Sequence, residues 1–212
     1  MKTTRRITLI ACSAALGVGF MVSVPRSAAA DRVAPPPVPA NLQVPAGNKA
    51  FLQGDAVGTQ NYICLPSGTG FAWILFGPQA TLFSDQHEQV ITHFLSPNPL
   101  ESGLPRATWQ HSKNTSTVWA MPIASSADPA FVAPGAVPWL LLQVVGAKDG
   151  PTGGHKLTPT RFIQRLNTSG GVAPATGCTS SIDVGKRAFV PYSADYIFYK
   201  DKADKSDADD GN

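Results

Sequence analysis

A mainly antiparallel β-sandwich is the fold this sequence predicts, with a distorted β-barrel as the alternative. Three observations carry that expectation. Apolar, β-branched and aromatic runs of four to eight residues recur between Gly, Pro, Asn and Ser clusters, the pattern of short strands joined by turns. No stretch sustains a helical apolar period for three turns. The 19 Gly and 19 Pro also interrupt the chain too often for long helices. Evenly spaced short strands of this kind belong to sandwiches and barrels.

Residues 1–30 read as a secretory leader. Lys2, Arg5 and Arg6 form a basic start, Ile7 to Val24 is apolar or small, and Ser27-Ala28-Ala29-Ala30 offers an Ala-x-Ala cleavage site. Thr4-Arg5-Arg6 faintly resembles a twin-arginine signal, and Leu9-Ile10-Ala11-Cys12 a lipobox that would lipidate Cys12. The apolar run continues well past Cys12, so cleavage near Ala30 and export to the periplasm or beyond are expected. No second candidate membrane span follows, so the mature chain is expected to lack a transmembrane segment. Removing the leader takes four of the 17 basic residues and no acid, leaving 13 against 14 acidic ones. A near-neutral mature chain lacks the basic footprint of a nucleic-acid binder. It also keeps two cysteines, Cys64 and Cys178, and an even pair in an exported chain predicts a disulfide.

Residues 31–41 (DRVAPPPVPAN) read as an extended, loosely packed Pro-rich spacer. One β domain is expected at 42–199, and a disordered tail of mixed charge at 200–212. Strands are predicted at 49–57, 60–65, 71–76, 79–83, 90–95, 107–111, 116–122, 137–146, 159–167, 187–191 and 193–199. Pro138 to Val145 shows almost no polar alternation, which predicts a strand covered on both faces. Ser84 to Gln89 reads as the polar tip of a hairpin. In the last strand, alternation puts Ser193, Asp195, Ile197 and Tyr199 on one face and Tyr192, Ala194, Tyr196 and Phe198 on the other.

Several blocks are similar to domain-of-unknown-function family 3455, found in secreted proteins of bacteria and fungi. They are Tyr62-x-Cys64 with Gly70 and Trp73; Gly77-Pro78-x-Ala80-Thr81-Leu82; His93-Phe94; Trp109; and Val137 to Leu141. Two longer blocks are the specific ones: Arg165-x-Asn167-Thr168-x-Gly170-Gly171-x-Ala173-Pro174 with Cys178, and Val190 to Tyr199. Two departures fall in loops. Pro97 to Arg106 lengthens the connection between the His-Phe pair and Trp109, and Asn114-Thr115-Ser116 stands where relatives tend to carry Asp-Gly-Ser. The resemblance implies export and a shared fold, and it carries no activity.

Candidate chemistry is sparse. His93, late in an apolar strand, is either a ligand or general base or an imidazole satisfied by a neighbouring carbonyl or hydroxyl. Asp195, flanked by apolar residues, needs a cation or shifts its pKa. Arg165 or Arg161 would supply that cation, as a structural bridge or as part of a ligand-orienting site. Asn167 to Gly171 reads as a turn. Trp73, Trp119 and Trp139 fit core positions, whereas Trp109, after the long loop, is expected at solvent or ligand, with Asn167 and Tyr192 as further ligand contacts. Asp85, His87, Glu88 and His93 show no zinc spacing, and His111 and His155 add none, so neither metal nor cofactor is called for. No nucleophile elbow occurs. Three functions stay open: a binding or surface-interaction module for a carbohydrate or envelope component, an extracytoplasmic enzyme using His93, Asp195 and Arg165, and a structural envelope protein.

Overall fold

The apolar runs become eight strands in the computed structural model, which describes residues 33–204. These are β1 (Asn48–Ser67), β2 (Gly70–Phe83), β3 (Gln89–Asn98), β4 (Leu104–His111), β5 (Thr117–Ser126), β6 (Trp139–Lys148), β7 (Thr160–Gly170) and β8 (Arg187–Asp201). Six predicted segments fuse in pairs to give β1, β2 and β8. Pro78 and Pro191 do not end their strands, because a proline on a strand edge costs no ladder bond. Pairing of β2 with β3 starts only at Gln79, and pairing of β7 with β8 ends at Tyr192. The predicted turn at Asn167 is a bulge inside β7: Asn167 has φ 49°, and the β7–β8 register shifts between Leu166 and Ser169.

Each strand pairs antiparallel with the next, and β1 also pairs with β8 from Asn48↔Asp201 to Ile63↔Arg187. The sheet therefore closes into an eight-stranded barrel, the alternative to the sandwich that was the first expectation. Closure depends on β1, whose 20 residues serve β2 along one edge and β8 along the other. Gly58 lets β2 come close enough. A Cβ there would sit 2.1 Å from the Gln79 carbonyl oxygen and 2.5 Å from the Ala80 Cα, an approach that only glycine permits.

Alternation then sorts the residues. Tyr192, Ala194, Tyr196 and Phe198 enter the interior with Leu82, Ile91, Trp109, Val118, Leu142 and Ile163, as the pattern of the last strand predicts. Outside, Trp139, Leu141, Leu166, Ile197 and Tyr199 form a second cluster under Leu42 and Val132. Leu142 thus points inward and Leu141 outward, so β6 is covered on both faces, as its apolar run implies.

The Pro-rich segment departs from expectation. Val33, Val38 and Val44 pack on the outer cluster, Leu42 is fully buried, and Gln164 Nε2 donates to the Leu42 carbonyl at 2.7 Å. The apolar residues between the prolines cover a patch that would otherwise face water. At the other end β8 runs to Asp201, with Lys200 buried and its ammonium 5.2 Å from the Phe51 ring centroid. The leader and residues 205–212 lie outside the described residues.

Cys64 and Cys178 are bonded, across a sequence separation of 114. The bond holds the segment after β7 against the β1–β2 hairpin, where Trp73 Nε1 also donates to the Thr176 carbonyl at 2.9 Å. The long Pro97–Arg106 connection is an extension of β3 and β4, closed by a turn at Pro99–Glu101 and by paired bonds from Arg106 to Glu101 at 2.9 and 2.7 Å.

Candidate functional site

The barrel interior gathers four of the residues singled out in the sequence. His93 stacks on Trp109 with ring centroids 4.1 Å apart, and Tyr196 meets both rings edge-on at 5.1 and 5.6 Å. His93 Nδ1–H donates to the Thr108 carbonyl at 2.9 Å, which leaves Nε2 as the acceptor nitrogen. Burial pushes the imidazole down to about 3, only partly opposed by the Thr108 bond, so the ring is neutral at physiological pH. Trp109, expected at solvent or at a ligand, is fully buried and does not reach solvent. It pairs directly with His93 across β3 and β4, and the inward parity of that pair decides its place.

Arg165 lies opposite Tyr196 in the β7–β8 register and so shares its inward face. Its Nη2 donates to the Pro138 carbonyl at 2.8 Å, while its buried Nε has no protein partner. Burial raises the hydroxyls of Tyr62, Tyr192 and Tyr196, and the Arg165 charge acts against that rise at all three. Tyr62 donates to the Gly171 carbonyl at 2.7 Å, and the Tyr192 and Tyr196 hydroxyls lie 3.4 Å apart.

Asp195 is on the other side of the sheet. Its carboxylate accepts from Asn167 Nδ2 at 2.7 Å, and no bridge to Arg165 forms. Burial raises its pKa, the Asn167 bond opposes this, and Asp55, directly opposite on β1, adds to the rise. His93 and Asp195 therefore face opposite sides of one strand layer, and His93 is 2% exposed. That geometry cannot place a general base and its carboxylate partner on one substrate. Asp85, His87 and Glu88 stay on the exposed turn after β2, away from the buried His93, and among the described residues no three His, Cys, Asp or Glu side chains converge as metal ligands.

What the surface does offer is a groove of about 450 Å³ on the outside of β3–β6. Trp119 and Phe94 floor it, Gln110 and Thr117 line its wall, and Lys148 and Asp149 stand at its rim. The Ser96 hydroxyl in its lining is tied to the fully buried Thr108 beneath it. Trp119 Nε1 donates to Ser96 Oγ at 3.0 Å, Ser96 Oγ meets Thr108 Oγ1 at 2.9 Å, and Thr108 Oγ1 donates to the Arg106 carbonyl at 2.9 Å. Gln110 Nε2 donates to Thr117 Oγ1 at 3.2 Å, so the amide is held across the two strands. The Asn114-Thr115-Ser116 turn anchors the far wall. Leu157 N–H donates to Ser116 Oγ at 3.0 Å, and Gly150 packs so closely on the Asn114 carbonyl that a Cβ would stand 1.9 Å away.

Trp119 is buried, as its strand position predicts, and also lines the groove. Phe94 and Thr115 stand out in the sequence only within the family blocks and the loop departure, and Gln110, Thr117, Lys148 and Asp149 carry no motif that marks them as ligand contacts. The available signal was the outward parity of Thr108 and Gln110 beside an inward Trp109. Reading it requires knowing that β3, β4, β5 and β6 are consecutive neighbours.

A closed antiparallel barrel with a packed aromatic interior defines the class of this protein. A sequence profile of the family described as Protein of unknown function (DUF3455) matches residues 45–200, most of the chain and all of the barrel but its final residue. The chain belongs to that family. No curated protein and no solved structure matches it.

Proposed function

We propose that this protein is an exported binding module, and that its groove on β3–β6 takes a neutral, hydroxyl-rich ligand such as a sugar of the cell envelope. The observation that carries this reading is the lining of the groove. An aromatic floor is bordered by an oriented amide and hydroxyls, with one charge of each sign at the rim. Apolar sugar faces pack on aromatic rings while hydroxyls exchange bonds with planar amides, and a pocket of this size holds one or two rings. Hydrogen bonds fix Ser96 and Gln110 before any ligand arrives, Ser96 from Trp119 and Thr108 and Gln110 on Thr117, which lowers the ordering cost of binding. Catalysis has no comparable support, because the one buried imidazole is neutral and closed to solvent.

Titration of the labelled protein with neutral oligosaccharides, followed by amide NMR, tests the reading. Saturable shifts are expected at Gln110, Thr117 and Lys148, with a Kd between about 10 µM and 1 mM. Gln110→Ala should weaken binding at least about fivefold without altering the fold, the loss of one oriented hydrogen bond. Absence of shifts at the groove up to about 10 mM sugar, or shifts indifferent to Gln110→Ala, would exclude the groove as the site.

A further inference from the structure

A second polar site lies inside the barrel, beside Gly171. Gln60 and Tyr62 share the inward parity of Ala56 on β1, and Tyr192 and Tyr196 that of Ala194 on β8. A Cβ at Gly171 would stand 2.9 Å from Tyr192 Cβ and 3.1 Å from Gln60 Cγ, so the bare backbone there packs against both. Arg165 enters from β7, opposite Tyr196. The Tyr192 and Tyr196 hydroxyls, 3.4 Å apart, are where the two sides meet. The Gln60 amide faces the Tyr192 oxygen and the Arg165 guanidinium faces the Tyr196 oxygen, each working against the rise that burial imposes on that phenol.

Two buried donors at this meeting point, Gln60 Nε2 and Arg165 Nε, have no acceptor among the described residues. Gln60 is only 2% exposed, so bulk water does not serve it. The Tyr62 hydroxyl is spent on the Gly171 carbonyl, and of the Tyr192–Tyr196 pair only one O–H can donate to the other. Donors therefore exceed acceptors. A water molecule would bring as many donors as acceptors and leave that surplus in place, whereas a carboxylate accepts and never donates. Charge points the same way. The Arg165 cation acts on Tyr62, Tyr192, Tyr196 and His93, and no carboxylate among the described residues bridges to it. One uncompensated positive charge matches a monoanion; a dianion would carry a second charge inside unpaired.

We propose that this part of the interior binds a small carboxylate. One carboxylate oxygen takes the Arg165 Nε–H, the other takes the Gln60 amide, and the free phenol O–H adds a third bond. Arg165 is only partly buried, and its Nη2 reaches the carbonyl of the exposed Pro138 at 2.8 Å, which marks the way in. The site is separate from the groove on β3–β6, and neither needs the other.

NMR of the isotope-labelled protein tests the proposal at the donors themselves. Sodium acetate, exchanged for chloride at constant ionic strength, should shift the Gln60 side-chain amide and Arg165 Nε–H signals saturably, with a Kd below about 10 mM. Acetamide, of the same shape but neutral, should leave both in place. Arg165→Gln should weaken acetate binding at least about tenfold, read at Gln60, and Gln60→Leu at least about fivefold, read at Arg165. Circular dichroism checks the fold of each variant, and the acetate–acetamide contrast in the unaltered protein needs neither. Signals unmoved up to about 100 mM acetate, equal shifts with acetamide, or undiminished binding in a folded variant would each overturn the proposal.

Discussion

Protonation of His93 offers a quantitative test of the interior. The ring is neutral in the folded barrel and pushed down to about 3, whereas in the unfolded chain it titrates near 6.5. With its folded pKa depressed, the unfolded state binds the extra proton between those values. The stability associated with neutral His93 is present above pH 6.5 and is lost as pH falls from 6.5 toward 3. Integrated from pH 7.5 to 4.5, the loss is roughly 2–3 kcal/mol, and it depends little on the folded value because that lies well below pH 4.5. Carboxylates titrate in the same range, so the informative quantity is a double difference. Urea denaturation of the native protein and of His93→Phe, each at pH 7.5 and 4.5, isolates it. The phenyl ring can stack on Trp109 and does not titrate. It leaves the Thr108 carbonyl without its donor, at a cost of about 1–3 kcal/mol at either pH. The native protein should lose about 2–3 kcal/mol more than the variant between the two pH values. Equal losses, or an imidazole titration in the folded protein near pH 6.5, would refute the neutral buried histidine.

Two further outcomes follow from the covalent and steric framework. Reduction of Cys64–Cys178 opens a loop spanning 114 residues of separation, which chain entropy values at about 4.8 kcal/mol. Calorimetry with and without reductant should show Tm lower by roughly 10–19 °C for a domain of this size, and a shift under about 2 °C would show that the bond constrains little. Gly58→Ala forces a methyl group to within 2.1 Å of the Gln79 oxygen, so β1 and β2 must separate there. Denaturant unfolding should register a loss of at least about 1–3 kcal/mol, and a variant as stable as the parent would mean that close strand approach at Gly58 does not matter.

Much of the local structure was legible in the sequence. The facing of β8 follows from period-two alternation, the two-sided burial of β6 from the near absence of it, and the strand runs and the polar tip at Ser84–Gln89 from apolar runs broken by turn residues. The disulfide follows from two cysteines in a chain expected to be exported. Long-range pairing was not legible. A sandwich and a barrel share the same alternation, and only the pairing of β1 with β8, helped by the tight passage at Gly58, selects closure. The same limit applied to side-chain partners. Asp195 and Arg165 are near in register, Asp195 opposite Leu166 and Arg165 opposite Tyr196, yet they point to opposite faces, because adjacent positions on a strand alternate. The groove joins residues from four strands, and no single segment carries its pattern. The sequence by itself determined which residues prefer burial on each strand; the tertiary structure alone decided which buried faces became one interior and which polar faces became one wall, because those relations are set by strand order and register rather than by neighbours along the chain.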